Sequence, residues 1–381
     1  MSFTVGATIT GAETALYSFG TTGDGANPGG SLIQASDGNL YGMTNTGGDN
    51  NVGTVFKITP GGTVTVLHSF VGGTGDGAIP TGSLIQASNG DLYGMTRDGG
   101  ANNVGTVFKI TGIGTSTATE SVLHSFAGGT GDGANPNAGL IQASDGNLYG
   151  MTLYGGANNL GTLFKITPAG AETIQYSFAG GTGDGAFPLC NLIQTSNGNL
   201  YGMTYGGGAN NVGTVFKITG IGTSTVTESV LHSFAGGTGD GANPNGNSSL
   251  VQASDGNFYG MTLYGGANNV GTVFKITPAG VETVLHSFAG GTGDGALPYC
   301  SLIQASDGNL YGMTNTGGAN NVGTVFKITP SGTVTVLHSF AGSTSDGANP
   351  YGDLIQASDG NLYGMTWGGG ANNMGTVFKI N

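Results

Sequence analysis

Residues 83–96, Ser-Leu-Ile-Gln-Ala-Ser-Asn-Gly-Asp-Leu-Tyr-Gly-Met-Thr, decide the fold together with Gly99-Gly-Ala-Asn-Asn-Val-Gly-Thr-Val-Phe-Lys-Ile110 and Glu120-Ser-Val-Leu-His-Ser-Phe126. Each piece is short, rich in β-branched and aromatic residues, and bounded by glycine and asparagine. That is the mark of a strand between turns. Asn89-Gly90 is a strong hairpin signal. The stretch therefore predicts four antiparallel strands: A over 83–87, B over 92–96, C over 105–110 and D over 120–126. A long Gly-Asp-Gly-Ala loop leads from D to the next A. No segment shows a helical period with caps.

The same unit recurs in phase along the whole chain. Tyr-Gly-Met-Thr places its methionine at Met43, Met95, Met151, Met203, Met261, Met313 and Met365. Gly-Thr-(Val/Leu)-Phe-Lys-Ile also occurs seven times, as does (His/Tyr)-Ser-Phe. Four strands repeated every 50-odd residues describe β-propeller blades. The expected fold is all-β: a seven-bladed propeller of four-stranded antiparallel blades, forming one domain over 1–381. The chain ends after a strand C and opens with a lone strand D, so residues 11–19 are expected to complete the last blade and close the ring. Residues 3–10 look like a degenerate extra strand C with no firm place.

Composition agrees. Glycine makes up 79 of 381 residues, but not at every third position, which excludes collagen. Only 8 % of residues are charged and the net charge is −13. Seven of the eight basic residues are one lysine repeated on strand C, from Lys57 to Lys379; Arg97 is the other. No basic face for nucleic acid can be assembled. No apolar run is long enough to enter a membrane as a helix. The N-terminal sequence does not read as a signal peptide. Cys190 and Cys300 hold one repeat position in non-adjacent blades and are expected to be free thiols.

The run Gly-Asn-Leu-Tyr-Gly-Met-Thr, then Gly-Gly-x-x-Asn-x-Gly-Thr-Val-Phe-Lys-Ile-Thr-Pro, then Leu-His-Ser-Phe, resembles the GloVer tandem repeat of bacterial "choice of anchor" proteins, over residues 15–381. The resemblance implies an exported, cell-surface bacterial propeller and no particular activity. A quinone cofactor is not implied, since the tryptophan docking motif of quinoprotein blades is missing.

Residues present in every blade are read as scaffold. Tyr41, Met43, Phe56, Phe19 and their equivalents should fill the spaces between sheets. His68, His124, His232, His286 and His338 share a slot with Tyr17 and Tyr176, which argues against a catalytic base or metal ligand there. The seven glutamines from Gln34 to Gln356 are expected to face a central channel and hold water. The loop aspartates Asp24, Asp76, Asp132, Asp184, Asp240, Asp294 and Asp346 read first as turn-forming groups and second as weak Ca²⁺ candidates, each loop supplying one carboxylate. No cofactor is expected otherwise.

Function is sought where blades differ. The D–A and B–C loops share one face, and the aromatics outside the repeat consensus gather there: Trp367, Tyr205, Tyr154, Tyr264, Tyr299, Tyr351 and Phe187, with the charge pair Arg97 and Asp98. Aromatic faces beside amides and carboxylates suit sugars. The expectation is a monomeric, non-catalytic, multivalent carbohydrate-binding or adhesion module with a glycan partner. A cell-surface scaffold for proteins is the alternative, and a carbohydrate-active hydrolase or lyase the second alternative. No catalytic motif is legible.

Overall fold

The computed structural model describes residues 9, 11–114, 118–223, 225–245 and 248–381. The degenerate segment 3–10 falls, apart from Ile9, outside them. Among the described residues there is no helix. Seven antiparallel sheets, each ordered A-B-C-D, follow one another along the chain. In blade 2 the strands are Gly77–Gln86, Leu92–Gly99, Thr106–Thr111 and Thr119–Ser125, close to the sequence expectation. Blade 7 consists of Ile355–Gln356, Leu362–Gly369, Thr376–Ile380 and, from the other end of the chain, Glu13–Ser18. Glu13 pairs with Ile380 and Ser18 with Thr376, so the N-terminal strand closes the ring as expected.

The A–B hairpins turn at Gly38 and its equivalents. Gly38 has φ +81°, while Asp37 stays at negative φ. The Gly38 amide donates to the Ala35 carbonyl and the Ala35 amide to the Asn39 carbonyl. This is a type I turn with a left-handed glycine, rather than a turn that needs two positive φ angles. The Asp37 carboxylate accepts from the Asn39 amide and from the Tyr41 hydroxyl at 2.7 Å, tying the turn to the core tyrosine.

Packing between blades repeats with the same period. The D-strand phenylalanine of each blade meets the C-strand phenylalanine of the next edge-to-face. The seven pairs run from Phe19–Phe56, 5.1 Å between centroids, to Phe340–Phe378, 5.2 Å. Tyr41, Met43 and Phe70 of blade 1 share a core with Leu84, Leu92, Phe108 and Ile110 of blade 2. Each junction thus buries the apolar faces of two sheets, and edge-to-face is a favoured arrangement of two aromatic rings.

The glutamines bridge neighbouring blades, and Gln194, Gln252 and Gln304 also line a hollow beside the inner strands. Gln86 Oε1 accepts from the Ser36 amide at 2.8 Å, and its Nε2 donates to the Gly90 carbonyl. The same bridge from one blade to its neighbour recurs around the ring and crosses the closure, from the Ser358 amide to Gln34. These side chains stitch the inner strands together because their amides satisfy turn groups that the short A strands leave free.

The slot before the loop proline is also architectural. The residue before the loop proline is left-handed in every blade, with φ between 51° and 57°. Four of the seven are asparagines, and their side chains donate to the preceding blade: Asn27 to the Trp367 carbonyl, Asn135 to Arg97, Asn243 to Tyr205 and Asn349 to Asn315. Ile79, Phe187 and Leu297 hold the same backbone without that bond. A branched residue at positive φ is strained by about 1–2 kcal/mol. Ile79→Asn is therefore expected to raise stability by roughly 1–2 kcal/mol, measured by urea denaturation; no change, or a loss, would contradict this account.

Candidate functional site

The D–A and B–C loops form the face where the seven axial turns meet. Just before the A strands, backbones of neighbouring blades touch. A Cβ on Gly30 would land on the Gly82 carbonyl, and one on Gly352 on the Gly30 carbonyl. On the other side of the axis the contacts are polar: Gly139 donates to Asn191, Ser249 to Ser301, and Ser301 to Asp353, whose own amide donates to Ser31. The floor of the face is therefore closed by glycine on one side and short polar residues on the other.

Over the glycine side lies a cleft of about 420 Å³ lined by Gly29, Asn45, Thr81, Gly82, Arg97, Asn137, Asn315, Asn349, Tyr351 and Trp367. Trp367 follows the Met-Thr motif of blade 7, and Tyr351 follows the loop proline of the same blade. Their rings are 5.7 Å apart and tilted by 51°. Tyr299 stacks behind Tyr351 at 5.1 Å and 23°. Burial, with Tyr264 and Tyr205 nearby, raises the Tyr299 phenol above its ordinary pKa. Tyr299, Tyr351 and Trp367 thus form one run of rings over blades 6 and 7, ending in the cleft, with Tyr264 and Tyr205 of blades 5 and 4 near Tyr299.

Tyr154 and Phe187 stand apart. They meet edge-to-face at 5.9 Å, and Tyr154 is 40 % exposed. Tyr154 borders a second, smaller depression with Leu153, Asn135 and Arg97. Arg97 borders both hollows. Its guanidinium lies 3.5 Å from Asp98, which also accepts from the Asn135 amide at 3.4 Å. Asp98 pairs with Ala78 in the sheet and orients Arg97 from behind.

The amides were not selected by sequence, although Asn45, Asn315 and Asn349 occupy slots that vary between blades. Asn315 donates to the Pro350 carbonyl at 3.2 Å, and Asn349 to the Asn315 carbonyl at 3.0 Å. Asn45 differs: its Oδ1 is out of reach of solvent and has no hydrogen-bond partner. A buried acceptor left unsatisfied is costly and calls for a donor. The signal was present in the sequence, since asparagine supplies both a donor and an acceptor, but nothing there showed which amides converge.

The loop aspartates lie away from the cleft, beneath the D–A loops. Asp76 accepts from the Val71 and Gly77 amides and from His68 Nε2 at 3.1 Å. Burial works to raise its pKa, but His68 and the two amides outweigh it and hold the carboxyl below its usual range. In blade junctions where tyrosine replaces histidine, the phenol does the same work: Tyr176 donates to Asp184 at 2.9 Å and Tyr17 to Asp24 at 2.8 Å. That shared donation explains why the slot takes either residue. Both thiols, Cys190 and Cys300, are buried and unpaired; burial pushes Cys190 up to about 12.

A family model described as the Gloeobacter/Verrucomicrobia repeat matches residues 3–131, 76–247, 112–293 and 221–381. No curated protein matches the chain in sequence. Among solved structures, the chain is similar to a streptogramin B lyase, with 14 % identity, 97 % of this chain and 96 % of that one covered, and a TM-score of 0.58. It is similar to the extracellular domain of a putative hybrid two-component system from B. thetaiotaomicron, with 12 % identity, 96 % and 39 % coverage, and a TM-score of 0.59. A putative 6-phosphogluconolactonase from Bacteroides fragilis gives 18 % identity, 86 % of each chain and a TM-score of 0.53. At these identities the likeness is one of fold.

Proposed function

The chain belongs to the Gloeobacter/Verrucomicrobia repeat family, and from that premise we propose that it is an extracellular carbohydrate-binding propeller whose binding site is the axial cleft. The observation that carries this reading is the pairing of an aromatic wall, Trp367 and Tyr351, with the amides of Asn45, Asn315 and Asn349 across one hollow. A sugar ring stacks its C–H face on an indole and offers hydroxyl donors to amide oxygens. The lining is amide, aromatic and one guanidinium, a set suited to holding a polar ligand rather than to moving protons between two groups.

The blades do not repeat this wall. Trp367 has Asn45, Arg97, Leu153, Tyr205, Leu263 and Asn315 as its counterparts. One principal site per ring follows, with Tyr299, Tyr264 and Tyr205 extending the platform outward. An oligosaccharide longer than one residue would run along that arc.

Glycan-array binding followed by calorimetry with the best oligosaccharide tests the proposal. Trp367→Ala is expected to weaken binding at least about tenfold, about 1.4 kcal/mol, and Asn45→Ala to weaken it less, while both leave the melting transition in place. An array with no oligosaccharide signal, or full affinity in Trp367→Ala, would remove the proposal.

A further inference from the structure

Four of the seven blade junctions bring a histidine, an aspartate and a glutamate together outside the cleft. The groups are His68, Asp76 and Glu120; His124, Asp132 and Glu172; His232, Asp240 and Glu282; and His338, Asp346 and Glu13. In each, one ligand-type atom from every residue lies within 4.8 Å of the other two. The histidine closes strand D of one blade, the aspartate sits in the loop that follows, and the glutamate opens strand D of the next blade. The two D strands and the intervening loop hold all three side chains.

A second observation is independent of that clustering. In all four junctions, and at Glu228 as well, the glutamate Oε1 is inaccessible to solvent and has no hydrogen-bond partner, so it is the histidine that sets the four apart. A sequestered carboxylate oxygen beside a second carboxylate is unfavourable unless it takes up a proton or a cation joins the two. The repeat also contains its own comparisons. Blade 6 opens strand D with Val334, so His286 and Asp294 lack the third group. At the junction of blades 3 and 4, Glu228 is present but Tyr176 takes the histidine slot.

We propose that these four junctions are Zn²⁺ sites, each with one imidazole nitrogen and two carboxylate oxygens as protein ligands and water in the fourth position. The histidine Nε2 and aspartate Oδ2 are 3.1 Å apart in three sites and 3.3 Å in the fourth. Tetrahedral ligands about 2.0–2.2 Å from zinc stand roughly 3.3–3.5 Å from one another, so the histidine and aspartate already stand near that spacing, and the glutamate, within 4.8 Å of both, closes on them to complete the site. The mixed nitrogen and oxygen set favours zinc over Ca²⁺ or Mg²⁺, which take oxygen ligands. Binding needs a neutral imidazole with Nε2 free for the metal, its proton on Nδ1, and ionised carboxylates, so uptake weakens in acid. The histidine slot thus has two uses: a donor to aspartate at every junction, as tyrosine also is, and a ligand only where the glutamate faces it.

The test is zinc stoichiometry of the full chain, stripped with chelator, dialysed against ZnCl₂ and measured by calorimetry and elemental analysis. Four equivalents are expected. Glu120→Gln, Glu172→Gln and Glu282→Gln should each lower the count by about one, and Glu228→Gln should leave it at four. Val334→Glu, which supplies the missing group opposite His286 and Asp294, should raise it to five. Zinc content that does not fall in the three glutamine variants, including a wild type that takes up none, would overturn the assignment.

Discussion

Deleting residues 1–19 is expected to abolish cooperative folding. The deletion removes the outer strand of blade 7, Glu13–Ser18, which is paired along Thr376–Ile380. It also removes Phe19, which is fully buried, packs on Phe56 and accepts from the Asn372 amide through its carbonyl. Truncating a single buried phenylalanine costs about 3–5 kcal/mol. Losing the strand with it would consume most of the ~5–15 kcal/mol that holds a typical domain folded. The strand over Thr376–Ile380 would then be an unpaired edge, open to another chain. The expected result is loss of a sharp thermal transition by circular dichroism and self-association by light scattering, both reversed by adding a peptide spanning residues 9–20. A truncated chain that stays monomeric and melts within a few degrees of the full one would refute this.

The second large effect is a pH dependence that one residue should dominate locally. Burial, reinforced by the neighbouring Asp184, pushes the Glu228 carboxyl from 4.5 up to about 8. Its folded pKa lies above its unfolded one, so the fold favours the protonated form. That preference is fully present below pH 4.5 and is lost as pH rises through about 8. The full shift corresponds to about 5 kcal/mol by linkage, but the side chain is only part-buried, and solvent screening reduces the effect to roughly 2 kcal/mol. Glu228→Gln is therefore expected to match wild type near pH 5 and to be more stable by roughly 2 kcal/mol at pH 9. Urea denaturation at the two pH values, with chelator present, decides it; parallel profiles would show that Glu228 does not carry this dependence.

The phase of the repeat was legible because packing in this fold is periodic. Phe19, Phe70 and their equivalents recur at fixed places in the chain and do one job at every junction. What escaped the sequence is set by backbone conformation and by partners in the next blade. Phe187 reads by residue type as a candidate site residue, whereas φ shows that it fills a left-handed slot, as Ile79 and Leu297 do. The bond of Gln86 to the Ser36 amide was not legible because that partner belongs to a blade 50 residues earlier. The aromatics of the cleft could be chosen by residue type. Asn45 and Asn315 could not, since asparagine is abundant in every loop here and only the ring brings those two together. The glutamates passed unnoticed for a similar reason: Glu120 reads as an ordinary strand residue until His68 and Asp76 are seen against it.

The pairing of Glu13 with Ile380 also fixes the direction in which the molecule faces. Strand D begins and strand C ends at the C–D turns, on the side of the disc away from the D–A and B–C loops. Gly11 donates to the Asn381 carbonyl, and Asn381 to that of Ala12, so the two chain directions leave from one point on that rear side. At Gly11 and Asn381 the chain therefore lies behind the ring, and the cleft of Trp367 and Arg97 lies on the opposite face. A tether and a bound ligand would then pull on opposite faces. Tension between the two chain directions themselves would open the Glu13–Ile380 pair first and peel the strand bond by bond, the weakest way to load an antiparallel ladder.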